Sequence, residues 1–379
     1  MQRDASEATT ENCNEVLRTA RKDACDRSVV PEKISLAVLG LGFGDRLIDS
    51  NIVRGPGKDY FELTAVCDKD RARADAVAAK HGVKVYYDVD SLLEDSDVKA
   101  ICVLVSPVGR AALIHRIIKA GKDVLTTKPF EADPDAAIDV LAEARRLGRV
   151  VHANSPGPLL TEDLACVKQW HQEHNLGQAI CAQWHTWCSY REEPDGSWLD
   201  SREQCPLGSM ARLGIYGIND LLCFFPEPEW LQVMGSRIFT KRPTPDTAQV
   251  SIQFRNGAMA TIMTSFCIQD GAPYSDSVII GFENGVVYRN VGPEDSFPRR
   301  SVRLELQTCG GPGHEIITDK QHVEIYSCAG QYQWDVFYRA IQGETFDEVA
   351  YADRIVTSLR VINAIQRADS SGQREQVQI

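Results

Sequence analysis

Ile34-Ser35-Leu36-Ala37-Val38-Leu39-Gly40-Leu41-Gly42-Phe43-Gly44-Asp45 is the stretch on which the architecture turns. Its first six residues are a short apolar run, suited to a strand buried on both faces of a parallel sheet. Gly40 to Asp45 form a turn, with a helix to follow. In that context Gly40 permits the tight bend, and Gly42 lets the backbone approach a pyrophosphate held at the helix N-terminus. Phe43 and Gly44 complete the candidate cofactor contacts of the turn. The usual third glycine position is Asp45, whose carboxylate repels phosphate unless it points away.

Outward from this turn the alternation continues. Phe61–Cys67 reads as a second strand ending at Asp68, where an acidic side chain binds the adenosine ribose of a dinucleotide. Asp68 favours NAD over NADP, and the adjacent Lys69 keeps NADP open. An Ala-rich helix over Arg71–His81 stops at Gly82. Strands follow at Val83–Tyr87, Lys99–Ser106, Asp123–Thr127 and Arg149–Asn154, with helices at Arg110–Ala120 and from Pro134 toward Gly148. Asp133 caps that last helix. Six strands interleaved with helices specify an α/β, doubly wound parallel sheet over residues 33–155. Asn154 falls at the carboxyl edge of its last strand, where such folds bind ligand.

After Pro156 and Pro158 the pattern changes. A helix at Glu162–His174 leads into alternating stretches such as Gln178–Tyr190. Asn256-Gly257 and Asn284-Gly285 sit between β-rich runs as hairpin signals, a turn type that needs positive φ at both residues. Residues 156–379 therefore read as an α+β substrate and oligomerisation domain with a large mixed, mostly antiparallel sheet. Helices close the chain at Trp334–Ile341 and Ile355–Ala368. Residues 1–32 read as an N-terminal extension.

Composition excludes several functions. Lys and Arg number 41 against 53 Asp and Glu, a formal charge of -12 that disfavours nucleic acid or an anionic membrane as partner. No apolar run approaches the roughly 18 residues of a membrane span, and the start Met1-Gln2-Arg3-Asp4 lacks a secretory leader. The 12 cysteines include no Cys-x-x-Cys pair, so they read as reduced thiols in a cytoplasmic protein. With the histidines scattered singly, no metal site is expected.

The order Gly-x-Gly, Val66-Cys67-Asp68, Ser106-Pro107, Ala120-Gly121-Lys122-Asp123-Val124-Leu125, Lys128-Pro129 resembles the Gfo/Idh/MocA oxidoreductase family. The likeness extends through Gly208–Asn219 and Phe337-Tyr338-Arg339-Ala340-Ile341-Gln342-Gly343. It implies a Rossmann domain followed by a substrate domain whose open sheet often forms an oligomer interface, here a homodimer or homotetramer. It also implies NAD as cofactor and places Ser106, Pro107, Lys128 and Asn154 beside it. The family's Glu-Lys-Pro reads Thr127-Lys128-Pro129, which makes Lys128 the first catalytic candidate. Its Asp-x-Gly-x-His/Tyr pattern falls on Arg212-Leu213-Gly214-Ile215-Tyr216, which makes Tyr216 the second. Three departures stand out: the family Glu is Thr127, the family Asp is Arg212, and a usual His is Arg110.

Hydride transfer at an alcohol carbon needs a group to take or give the hydroxyl proton. Tyr216 is the expected proton carrier, its phenol acidified by cations, with Lys128 in support. Arg212 and Arg110, permanently charged, suggest an anionic substrate. His185 and Trp187 share one strand face as candidate walls for a sugar-like ring, and Asn219 joins them as a substrate contact. The expected activity is NAD(P)-dependent hydride transfer at a hydroxyl or carbonyl carbon of a small sugar-, polyol- or hydroxy-acid-like molecule. A dinucleotide-sensing regulator, or an enzyme using bound NAD without net redox change, are the alternatives.

Overall fold

The computed structural model describes residues 32–272, 274–292, 301–309, 316–324 and 330–379. The expected extension at 1–32 lies outside these, apart from its last residue.

The first half alternates as its hydrophobic runs dictate. β1 (Ile34–Leu39) leads into α1 (Leu41–Leu47), which a π-helical turn at Ile48–Val53 prolongs. β2 (Phe61–Cys67), α2 (Arg71–His81), β3 (Lys84–Tyr86) and α3 (Val89–Glu94) follow. Then come β4 (Ala100–Val103), α4 (Arg110–Lys119), β5 (Asp123–Thr126), α5 (Pro134–Arg146) and β6 (Val151–Ala153). The strands form one parallel sheet in the order β3-β2-β1-β4-β5-β6. The order reverses between β1 and β4, so a crevice opens at their carboxyl ends, where such sheets bind dinucleotides. Helix boundaries obey local chemistry: the Asp70 and Asp133 side chains accept N–H groups of the first turns, and Gly82 closes α2 in the left-handed region. The α3 helix was not legible, because a six-residue helix is too short to show a period.

The second half is built on α6 (Glu162–Glu173), β7 (Ala179–Trp187), α7 (Ile215–Leu221) and the strands β8 (Pro228–Ser236), β9 (Thr247–Phe254) and β10 (Met259–Ser265). It continues through β11 (Ser275–Phe282), β12 (Gly285–Arg289), β13 (Ser301–Cys309) and β14 (Ile316–Glu324). α8 (Trp334–Ile341), α9 (Glu348–Ser371) and β15 (Glu375–Gln376) end the chain. The nine-stranded sheet runs β14-β13-β12-β11-β7-β10-β9-β8-β15, antiparallel except between β7 and β10. Both Asn-Gly pairs lie at hairpins, but the turns differ from expectation. Only Gly257 takes positive φ, at 87°, while Asn256, Asn284 and Gly285 do not.

The end of the chain crosses back over the boundary expected at residue 156. Trp334 and Phe337 of α8 pack with Phe61 in the core beneath the parallel sheet, and Tyr351, Ile355 and Leu359 of α9 join the core on its other side. The Tyr351 hydroxyl accepts the backbone N–H of Ala153 at 2.6 Å. The chain therefore returns to the first domain at its end. Helical spacing reveals an apolar face, not which sheet receives it.

One buried ionic cluster ties α7 to the second sheet. The Arg289 guanidinium on β12 donates to Asp163 at 2.8 Å, Asp220 at 3.1 Å and Asp276 at 2.5 Å. Burial pushes the Asp220 carboxyl up to about 7, with Arg289 opposing it. Arg289→Met strands three carboxylates in a low-dielectric site. It should destabilise the protein by about 3–5 kcal/mol, measured as a lower denaturant midpoint. A midpoint unchanged from wild type would mean the cluster is solvated.

Candidate active site

The crevice begins at Gly40. Its φ is 92°, and a Cβ there would lie 2.8 Å from the Leu104 carbonyl oxygen just after β4, so the bend from β1 into α1 admits only glycine. A Cβ at Gly42 would meet nothing within 4 Å, and Phe43 beside it is 49% exposed. The first turn of α1 thus faces open space, a cradle that fits a pyrophosphate. Gly44 is buried against Val38 and sets helix–strand packing rather than a ligand contact. Asp45 points away from the cradle and pairs with Lys80 at 2.9 Å, which removes its repulsion. Asp49 and His81 lie near Asp45, but the Lys80 ammonium already bridges the two carboxylates.

Asp68 stands beside the cradle in a more constrained state than expected. Its carboxylate accepts the Leu41 N–H at 2.7 Å and the Asp70 N–H at 2.9 Å, and it pairs with Arg73. It therefore ties the end of β2 to the start of α1. Ser106 and Pro107 occupy the loop between β4 and α4, beside Val108, which is 49% exposed.

Across the crevice two expected partners meet. Lys128, just after β5, places its Nζ 4.6 Å from the centre of the Tyr216 ring on α7. The same Nζ donates to the Arg212 carbonyl. Burial, with the Arg212 and Arg110 charges added, pushes the Lys128 ammonium down to about 7. A lysine so tuned exchanges protons near neutral pH.

Several expected site residues do other work. Arg110 is 2% exposed, and its guanidinium donates to the carbonyls of Val105, Thr127, Pro129 and Phe130. It cannot reach a substrate. Arg212 makes a two-pronged pair with Glu192, at 2.7 and 2.9 Å, and lies over the Tyr190 and Phe266 rings, which touch each other. Burial raises the Glu192 carboxyl, but Arg212 and Arg242 outweigh it and hold it below its ordinary value. The Arg212 charge is spent inside the protein.

His185 and Trp187 face away from the crevice. Trp184, their neighbour of opposite side, packs on α7 where a Gly217 Cβ would lie 2.4 Å from its ring. His185 instead continues a row across the other face, with Met263, Gln249 and Met234. The Trp187 indole donates to Asp270 at 2.7 Å. Asn219, 5% exposed, donates to the Ser155 hydroxyl at 2.8 Å, fastening α7 to the end of β6. Asn154 is likewise engaged, with Lys128 and Gly330.

Sequence reasoning missed Glu131, Glu192, Arg242 and Gly330. Glu131 accepts the N–H groups of Gly109 and Ala111 at the head of α4 and of Ala132 in its own loop. Arg242, 7% exposed at its side chain, binds Glu192, Asp195 and Asp200 together. Only the loop's density of acids, Glu192-Glu193-Pro194-Asp195, hinted that a buried cation awaited it.

Comparison with known proteins agrees with this construction. Residues 34–155 match the family model for an oxidoreductase family with an NAD-binding Rossmann fold, and residues 164–288 match the GFO/IDH/MocA C-terminal domain. Over 128 residues the chain is 38% identical to dehydrogenase aclE of Aspergillus oryzae, covering 33% of this chain and 35% of that protein. Over 119 residues it is 33% identical to the inositol 2-dehydrogenase of Rubrobacter xylanophilus, covering 31% and 33%. The chain thus spans about a third of the length of these two curated relatives. An NAD binding oxidoreductase from Klebsiella pneumoniae shares the fold at a TM-score of 0.67 and 17% identity, over 92% of this chain and 100% of that one.

Gly40→Ala forces a side chain against Leu104 in a backbone region that L-residues avoid. NADH affinity, read by fluorescence titration, should fall at least about tenfold. Unchanged affinity would place the dinucleotide elsewhere.

Proposed function

We propose that this chain, which belongs to the Gfo/Idh/MocA oxidoreductase family, oxidises a hydroxyl carbon of a small neutral polyol or sugar, or reduces the matching carbonyl, with NAD. The observation that carries the reading is the Lys128–Tyr216 contact, made by a lysine whose ammonium is held at about 7. Bound nicotinamide would supply the hydride chemistry, and the residues of the α1 turn and Asp68 would hold the dinucleotide. NAD rather than NADP is supported by the position of Asp68 at the end of β2, where an acidic side chain meets the adenosine ribose.

The chain's own residues manage the proton. The sequence suggested Tyr216 as carrier and Lys128 as support; the reading proposed here exchanges these roles. A phenol at about 10 is a poor base at neutral pH, whereas a group near 7 is matched to it. Neutral Lys128 accepts the substrate hydroxyl proton during oxidation and its ammonium returns it during reduction. The Tyr216 ring stabilises the ammonium form through its π face, and its hydroxyl orients the substrate.

Charge favours a neutral substrate over the acid suggested by Arg110 and Arg212. Arg212 and Arg242 are matched against Glu192, Asp195 and Asp200, which leaves no guanidinium of this group unpaired. In the oxidative direction the rate should rise with pH through about 7 and then level off, as Lys128 loses its proton. Lys128→Met should abolish that ionisation and lower kcat by about 10²–10⁴. A profile kept intact in that variant would dismiss Lys128 as the carrier.

A second copy of this chain is the proposed cover for the outer face of the nine-stranded sheet, giving a homodimer or homotetramer. Met234, Met259 and Met263 are 76%, 62% and 40% exposed there. No described helix is long and apolar enough to cross a membrane. The described cysteines are free thiols, which supports a reducing, cytoplasmic setting. Light scattering should report a multiple of 42.1 kDa, and Met259→Lys with Met263→Lys should return the protein to single chains. A wild-type monomer would refute the cover.

A further inference from the structure

Three separate parts of the chain meet behind Lys128. Asn154, 6% exposed at the end of β6, uses both ends of its amide there. Its Oδ1 accepts the backbone N–H of Lys128 at 2.8 Å, and its Nδ2 donates to the Gly330 carbonyl at 2.7 Å. Gly330 in turn lies close against the hydroxyl end of Tyr216. A Cβ at that residue would fall 2.7–2.8 Å from Cε1, Cζ and the hydroxyl oxygen of the ring, and its φ is 95°. No other residue type places its backbone so close to the phenol. Farther along, the Gln333 amide exchanges two hydrogen bonds with the Leu159 backbone, at 3.1 and 2.9 Å, pinning the same segment to the loop after β6.

We propose that Asn154 and Gly330 are positioning residues, which hold the chain at residue 330 as a backstop to the Tyr216 ring and so fix Lys128 against it. Their catalytic consequence rests on the reading of Lys128 and Tyr216 as the reacting pair; the positioning itself does not. The ring is in contact with both the Gly330 backbone and the Lys128 ammonium. One asparagine joins both, so a change at either end reaches the pair. Neither residue needs to touch substrate.

Burial is the largest cause of the low proton affinity of Lys128. Of the groups that act on its ammonium, the Arg212 guanidinium on the segment before α7 lowers its proton affinity most, the Cys205 thiol opposes it, and Arg110 on α4 lowers it least. Releasing the backstop admits solvent and lets the ammonium move from the guanidinium groups, so Lys128 should titrate at higher pH.

The test follows the modification of Lys128 by trinitrobenzenesulfonate against pH in the full chain, read by peptide mass spectrometry, with exposed Lys119 as internal reference. In Asn154→Ala and Gly330→Ala the Lys128 midpoint should rise by at least about one pH unit while Lys119 stays put. NADH affinity should change by less than about threefold, because the α1 cradle is untouched. An unmoved Lys128 midpoint in folded Asn154→Ala overturns the proposal, whatever happens to turnover. If strain prevents Gly330→Ala from folding, Asn154→Ala alone decides. A raised midpoint with normal turnover would uphold the positioning while refuting the assigned proton role of Lys128, so the two failures are separable.

Discussion

The carboxyl edge of the parallel sheet depends on one buried guanidinium. Arg110 collects the carbonyls of Val105, Thr127, Pro129 and Phe130, two loops that would otherwise turn unsatisfied acceptors into the protein interior. Glu131 performs the complementary task for N–H groups at the head of α4 and in its own loop. Between them they fix the short loop that carries Lys128. Arg110 also lowers the affinity of Lys128 for its proton from a distance. A residue the sequence offered to the substrate is thus the keystone of the loop that offers the lysine.

The departures from the family pattern become intelligible on the same footing. Replacing an acid by Arg212 removes a carboxylate from the motif, yet Lys128 meets position 212 through the main-chain carbonyl. That contact is indifferent to the side chain. The guanidinium itself is balanced by Glu192, and Arg242 is balanced by Glu192, Asp195 and Asp200. The swap exchanged one buried charge arrangement for another without emptying the site of its lysine. Thr127, at the family's Glu position, likewise contributes its carbonyl to Arg110.

What the sequence made legible follows from range. The first sheet could be read because each strand, turn and cap is specified within a few neighbouring residues, from the apolar run of β1 to Asp133 at the head of α5. The pair Lys128 and Tyr216 was found by resemblance, since 87 intervening positions leave no local trace of contact. Arg110, Arg212 and His185 were misplaced for one reason: a charged or aromatic side chain advertises its chemistry but not its partner. Arg212 finds Glu192 across a loop, and His185 falls on the outer sheet face because strand alternation fixes sides without saying which one is covered. The return of α8 and α9 to the first domain was hidden likewise, since an amphipathic face does not name the sheet it meets.

The position of α7 shows how these long-range contacts converge. Its register is held from beneath by Asp220 on Arg289 and laterally by Asn219 on Ser155, while Gly330 meets the Tyr216 ring. Tyr216 and Asp220 are four residues apart, so they lie on adjoining turns of one face. Anchors at successive turns leave the helix little freedom to roll, and a roll is the motion that would carry the phenol from the lysine. A short helix has little intrinsic stability of its own, so its orientation must come from such contacts. The precision of the Lys128–Tyr216 pair is therefore a property of the junction between both sheets, and neither half of the chain contains it alone.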